Sequence, residues 1–351
     1  PIIEEPATRP RATRGENLLT VLFASWLIAG VFIDGWAHNN DKPETFFTPW
    51  HGVFYSGFLA TAAWMGWMVQ RRRAAGAPGR SAVPIGYGIG LVGVAMFALG
   101  GVFDMTWHEI FGIEVDLEAI LSPSHLILFL GGILVITSPL RAAWADTSVT
   151  TPTFREFLPT LLSMTLATAT VGFFMMVFAP TMSSAVERGP HDFIAHEFAA
   201  RPGIAQWMVE EVQLEGYAAI LLTTLILIAP VLYLARRWTL PFGTITFLFG
   251  VVSTLVASIE SFDQGLTFAA AVVAGLAGDL LYRRLPLRAV ATAVPVVMWL
   301  AYFAILAVTS DVGWSVELWS GVAVMSGLAG LALSVMTGPD QSVRRYASNS
   351  A

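Results

Sequence analysis

Six side chains recur in a spacing suited to holding a cation. Asp34 precedes His38 by four residues, and Asp104 precedes His108 by four. On a helix, residues four apart share one face, one turn from each other. A second histidine follows each pair, in Thr48-Pro49-Trp50-His51 and in Ser122-Pro123-Ser124-His125. Thr and Ser are natural N-caps and Pro suits the first helical position, so His51 and His125 fall in the first turn of a new helix. Each copy thus offers one carboxylate and two imidazoles. That set suits copper, non-haem iron or zinc. The chain has no Cys, which excludes thiolate sites, disulfides and a Cys nucleophile. Asp34 and Asp104 also fall inside apolar runs, where a charge costs about 2.5–3.5 kcal/mol at a helix centre and less near its end. Metal binding is therefore read ahead of a hydrogen-bond network or a proton relay. Two three-ligand sites or one dinuclear site both fit the pattern.

The elements that position these residues follow from composition. Hydrophobic residues make up 55% of the 351 and charged residues 13%, against about 25% charged in soluble domains. Such a chain cannot cover its surface with polar groups, and it is too apolar to be disordered. The expected fold class is all-α, a polytopic transmembrane helix bundle. Apolar runs of about 20 residues read as spans. About ten occur, at 17–37, 50–69, 83–106, 123–143, 157–179, 214–234, 241–259, 264–282, 287–309 and 315–336. The first is long and follows an Arg-bearing tail, so it is read as a span and not as a cleaved signal. The first four form a tandem two-helix repeat of about 70 residues, each hairpin carrying one ligand set. The 12 Trp and 23 Phe suit aromatic belts, with Trp36, Trp50, Trp107 and Trp207 as outer-belt candidates.

Charge sets the expected orientation. With ten spans, 16 of the 19 basic residues fall on the side of the termini. Only Lys42, Arg188 and Arg201 fall opposite, together with 18 of 25 carboxylates and all six histidines. The positive-inside rule then makes both termini cytoplasmic and puts the ligand sets at the extracytoplasmic face, in a bacterial inner membrane. The sole Lys lies in an outer loop, which excludes a retinal Schiff base.

The expected organisation is a cytoplasmic tail at 1–16, the duplicated hairpin region at 17–146, six further spans at 147–338 and a second tail at 339–351. An outer, lid-like segment at 181–213 interrupts the six spans. Within it His191 and His196 are accessory candidates, as is Glu215 just beyond, though solvated charge is the plainer reading of the histidines and complementing the helix dipole that of Glu215. Asp279 is expected to pair with Arg283 one turn later. No nucleotide loop, zincin motif or serine elbow is present, and nothing suggests nucleic acid. The partners expected are the bilayer, other membrane or periplasmic subunits and a small apolar substrate. A zinc-dependent interfacial hydrolase and a non-enzymatic metal carrier or complex subunit stand as alternatives.

Asp34-x3-His38-x12-His51 resembles the copper-binding motif of the C subunit of particulate methane and ammonia monooxygenases. Phe47-Thr48-Pro49-Trp50-His51 and Leu121-Ser122-Pro123-Ser124-His125 are similar to that family's stretch opening a helix. The resemblance implies a copper-dependent, monooxygenase-like oxidoreductase, or a subunit of one. It assigns Asp34, His38 and His51 to one copper and Asp104, His108 and His125 to a second. It covers residues of about 25–135. It departs from the family in having Asp104 where the family has Asn, and in a longer loop before His125.

Overall fold

The computed structural model describes residues 9–42, 47–112 and 116–337. The tail at 339–351, and Pro1 to Thr8 of the first tail, lie outside them. Among the described residues the fold is helical, with one isolated β-bridge between Glu187 and Val312. The helices are α1 (Arg14–Asn39), α2 (Pro49–Ala74), α3 (Gly88–Phe111), α4 (Asp116–Leu121), α5 (Pro123–Ile136), α6 (Ser138–Ala145) and α7 (Phe154–Phe174). They continue with α8 (Arg188–Glu197), α9 (Pro202–Ala235), α10 (Thr244–Ile259), α11 (Ala269–Leu281), α12 (Leu287–Thr309) and α13 (Val316–Met336). The chain divides into two compact units, Pro1–Thr170 and Val171–Ala351.

Among the described residues seven segments are long and apolar enough to cross a membrane, counting α5 and α6 as one. The chain is an integral membrane protein. Each of the ten predicted runs is helical, but three fall short of that standard for physical reasons. α2 has the length, yet Trp, His, Gly and Ser residues thin its apolar content. α10 and α11 have 16 and 13 residues, about 24 and 20 Å at 1.5 Å per residue, less than a hydrocarbon core of about 30 Å.

The first unit is built on two helical hairpins, α1 with α2 and α3 with α5. Glycines bring the paired backbones together at equivalent places. A Cβ on Gly57 would lie 2.5 Å from the Leu27 nitrogen, and one on Gly131 would lie 2.8 Å from the Phe97 nitrogen. A Cβ on Gly30 would lie 2.4 Å from the Phe54 Cα, and one on Gly100 would meet Ile127 and Leu128. Small residues are how membrane helices approach closely, because lipid supplies no hydrophobic drive between them. The far end of the first hairpin is tied by charge. Thr13 and Glu16 form a capping box, and the Glu16 carboxylate takes Arg71 and Arg72 at 2.7 Å each. Buried hydroxyls such as Thr20, Thr61 and Thr168 donate to the carbonyl four residues back, which satisfies them inside the span.

In the second unit α10 pairs with α11, and α12 with α13. Asp279 is buried on α11. Its carboxylate accepts the Ile245 and Thr246 backbone N–H groups and the Thr246 hydroxyl at 2.7–3.1 Å. It therefore caps the start of α10, the positive end of that helix dipole, where the sequence suggested an ion pair with Arg283.

Candidate metal centre

The loop-to-helix turns place the second histidine of each set. Thr48 is extended backbone, and its hydroxyl accepts the His51 N–H at 3.4 Å; Ser122 does the same for His125 at 3.4 Å. In both copies a Pro follows the cap and the histidine occupies the third helical position. Each caps a helix whose glycine, six residues beyond the histidine, is the close crossing point described above. The hairpin geometry thereby sets each histidine opposite the Asp–His pair on the neighbouring helix.

The result is two groups of three, Asp34 with His38 and His51, and Asp104 with His108 and His125. In each, one ligating atom from every residue lies within 4.8 Å of the others. The Asp34 carboxylate is 3.2 Å from His51 Nε2 and 3.7 Å from His38 Nε2. Asp104 Oδ1 is 3.1 Å from His125 Nε2 and 3.6 Å from His108 Nε2. Histidine ring centroids are 6.3 Å apart in the first group and 5.7 Å in the second. Two ligand atoms each about 2.1 Å from one cation, at a tetrahedral angle, are about 3.4 Å apart. The observed separations bracket that value, so the residues fit a cation with little rearrangement.

The remaining ring nitrogens strengthen the fit. His108 Nδ1–H donates to the Gly112 carbonyl at 3.2 Å, and His125 Nδ1–H donates to the Ala119 carbonyl. A donor bond from Nδ1 leaves Nε2 with its lone pair exposed toward the carboxylate, the arrangement typical of metal-ligating imidazoles. The six residues fall into two groups of three, each complete within its own hairpin. They are neighbours nonetheless, since His38 lies within electrostatic range of Asp104, His108 and His125.

The accessory residues are placed differently. His191 is buried in the second unit, where Nε2–H donates to the Ala185 carbonyl at 3.1 Å. Trp314 Nε1–H donates to the same oxygen at 3.2 Å. Gly313 passes so close that a Cβ there would lie 2.7 Å from His191 Nδ1. Nearby, Arg188 N–H donates to the Asp311 carbonyl, Gly313 N–H to the Val186 carbonyl, and Arg188 Nε pairs with Asp311 at 2.5 Å. The stretch around His191 is thus pinned to the turn between α12 and α13. α9 also begins at Pro202, well before the predicted span, so the latter part of the expected lid is continuous helix. His196 and Glu215 are exposed. Among the described residues none of these three belongs to a three-ligand group.

Sequence reasoning missed two residues beside the second triad. Ser124 is fully buried and its hydroxyl lies 3.1 Å from the Ser122 hydroxyl. The Tyr55 ring packs from the first hairpin onto Gly101 of the second, where a Cβ would lie 2.9 Å from Cε1. Tyr55 follows His51 by four residues, so its face was legible; its reach across hairpins was not. Trp36 carries Lys42 over its ring at 5.3 Å, and Trp107 packs with Phe103 and Phe111, both consistent with a belt. No family model, curated protein or solved structure matches the chain.

Proposed function

We propose that the chain is a membrane metalloprotein that binds two copper ions, one in each Asp–His–His triad, and serves as a monooxygenase-like oxidoreductase or a subunit of one. The observation that carries the reading is the twofold recurrence of the same ligand geometry, with Nε2-to-carboxylate distances of 3.1–3.7 Å in both copies. A lone interfacial Asp–His contact is commonplace; two built by duplicated caps, glycines and ligands are better explained by a shared duty. The N/O donor set suits copper, and iron or zinc by the same chemistry. The resemblance of Asp34-x3-His38-x12-His51 to a copper motif favours copper among them.

Bound copper would supply one-electron redox chemistry. The protein's own part is to fix three donor atoms on rigid helices. The Nδ1–H bonds of His108 and His125 orient their rings, and the first-turn positions of His51 and His125 hold those rings against the carboxylates. The substrate of this reading is a small apolar molecule arriving through the bilayer. The clustering of titratable groups on one side, read with the positive-inside rule, supports an extracytoplasmic site for this chemistry.

The test is elemental analysis with EPR on the full chain extracted from membranes. About two copper equivalents are expected, with a copper(II) EPR signal from nitrogen and oxygen ligation. His38→Ala and His125→Ala should each remove one. Stoichiometric zinc with no EPR signal would favour the interfacial hydrolase, in which a metal-bound water is the nucleophile. Protein without metal, or with metal unchanged in both variants, would contradict the reading.

A further inference from the structure

The second unit holds a cavity lined by none of the triad residues. It lies between α9, α10, α11 and α12, against the end of α7, and its volume is about 50 Å³. A water needs about 10–15 Å³ of cavity, so there is room for about three to five bodies of that size. Close-packed interiors leave few voids larger than one water. The wall is almost all carbon, which denies a water the polar partners it needs, so the space stays dry.

The surrounding structure holds this space open. The Trp299 and Tyr302 rings of α12 form part of the wall, and both are buried. Trp299 Nε1–H donates to the Thr224 hydroxyl at 2.8 Å, and the Tyr302 hydroxyl donates to the Pro180 carbonyl at 3.2 Å. Those bonds fix both rings, so neither is free to swing in and fill the void. α10 and α11 meet backbone to backbone at Gly275, where a Cβ would lie 2.6 Å from the Thr246 Cα. One turn away Ala271 lines the cavity, so close packing gives way to empty space within a turn. The chain between these helices is strained. Ser261 and Phe262 both have left-handed backbone, at φ 54° and 62°, a region few non-glycine residues adopt. Such strain gathers at ligand sites and persists only where the surroundings impose it. Thr267, in the same connection, is buried and lines the cavity. α7 stops at Phe174, within the apolar run predicted to 179, and one 3₁₀ turn at Met176–Phe178 leads to Pro180 at the cavity wall. Met175 also lines the cavity and is 41% exposed, which gives a way in past a flexible side chain.

We infer that this cavity is a binding site for a small, uncharged, apolar molecule of about three to five heavy atoms, the size its volume admits. An apolar ligand entering a dry, preformed pocket has no bound water to displace and gains carbon contacts on every side. A charged or strongly polar ligand would lose its hydration there with no hydrogen bonds in return. A lipid chain would place only its end inside and leave the rest without a seat, whereas a small free molecule fits whole. The site goes beyond the metal reading and needs no bound metal.

It is tested on crystals of the full chain pressurised with xenon, read by anomalous density, and in solution by thermal unfolding under xenon. A xenon peak is expected in the cavity beside Trp299, together with a rise in Tm, because the ligand binds the folded chain alone. Ala271→Leu and Ser253→Leu add bulk to the wall from two different helices. Each should abolish the peak and cut the Tm gain to about half or less, and if one fails to fold the other serves. A cavity that takes no xenon in the unsubstituted chain would overturn the inference. So would ordered water in it, a lipid chain's end occupying it before xenon is applied, or a peak that persists in the filled variants.

Discussion

Asp34 and Asp104 each face two imidazole Nε2 atoms, and what brings the second imidazole there is a single hydroxyl at a helix start. Thr48 and Ser122 accept the N–H of His51 and His125 and stop each helix from beginning earlier or later. Thr48→Ala and Ser122→Ala should each cost about 1 kcal/mol of stability, the usual worth of an N-cap. They should also weaken copper only at the triad they serve, which metal titration against a chelator would show. These caps and the six side chains of the two triads were legible in the sequence, since capping is local and the Thr/Ser-Pro-x-His pattern recurs. Ser124 and Tyr55 were not, because the burial of one and the packing of the other on Gly101 of the next hairpin are tertiary features. His191 misled for the same reason. Its residue type suggests a ligand, whereas its ring is committed to the Ala185 carbonyl in a buried turn.

At the scale of elements, the hairpins work because glycines let α1 meet α2 and α3 meet α5 backbone to backbone. The pairs Gly57–Leu27 and Gly131–Phe97 are the same contact in the two copies. Gly30→Ala should force the α1 backbone away from Phe54, costing about 1–3 kcal/mol as an overpacked contact. It should lower copper occupancy at the Asp34 triad while largely sparing the Asp104 triad. Gly131→Ala should do the reverse. Thermal unfolding in detergent with copper stoichiometry for each variant checks this; equal loss at both sites from either one would argue against independent hairpins. The positions of the helices were readable from apolar runs. Their lengths were less so. α10 and α11 stop at 16 and 13 residues, and α9 reaches back to Pro202 through Glu210 and Glu211. Both acids are exposed on that helix two turns past its start, so polarity alone is a poor sign of where a helix begins.

At the scale of the molecule, all of the three-ligand groups among the described residues lie in the first unit. The second unit, Val171–Ala351, carries its own devices, the Asp279 cap on α10 and the strap from Val186 to Gly313, and neither holds a ligand set. The separation was partly legible, since the repeat ends with the fourth predicted span. The first compact unit nevertheless runs on to Thr170, within α7, because helix packing and not motif extent decides where a unit ends. The central claim is that two cations sit between carboxylate and paired imidazoles. Crystals of the copper-loaded chain, measured on both sides of the copper absorption edge, test it most directly. The account expects two anomalous peaks per chain, each about 2 Å from two Nε2 atoms, one beside Asp34 and one beside Asp104. A single peak elsewhere, or none beside either carboxylate, would contradict it.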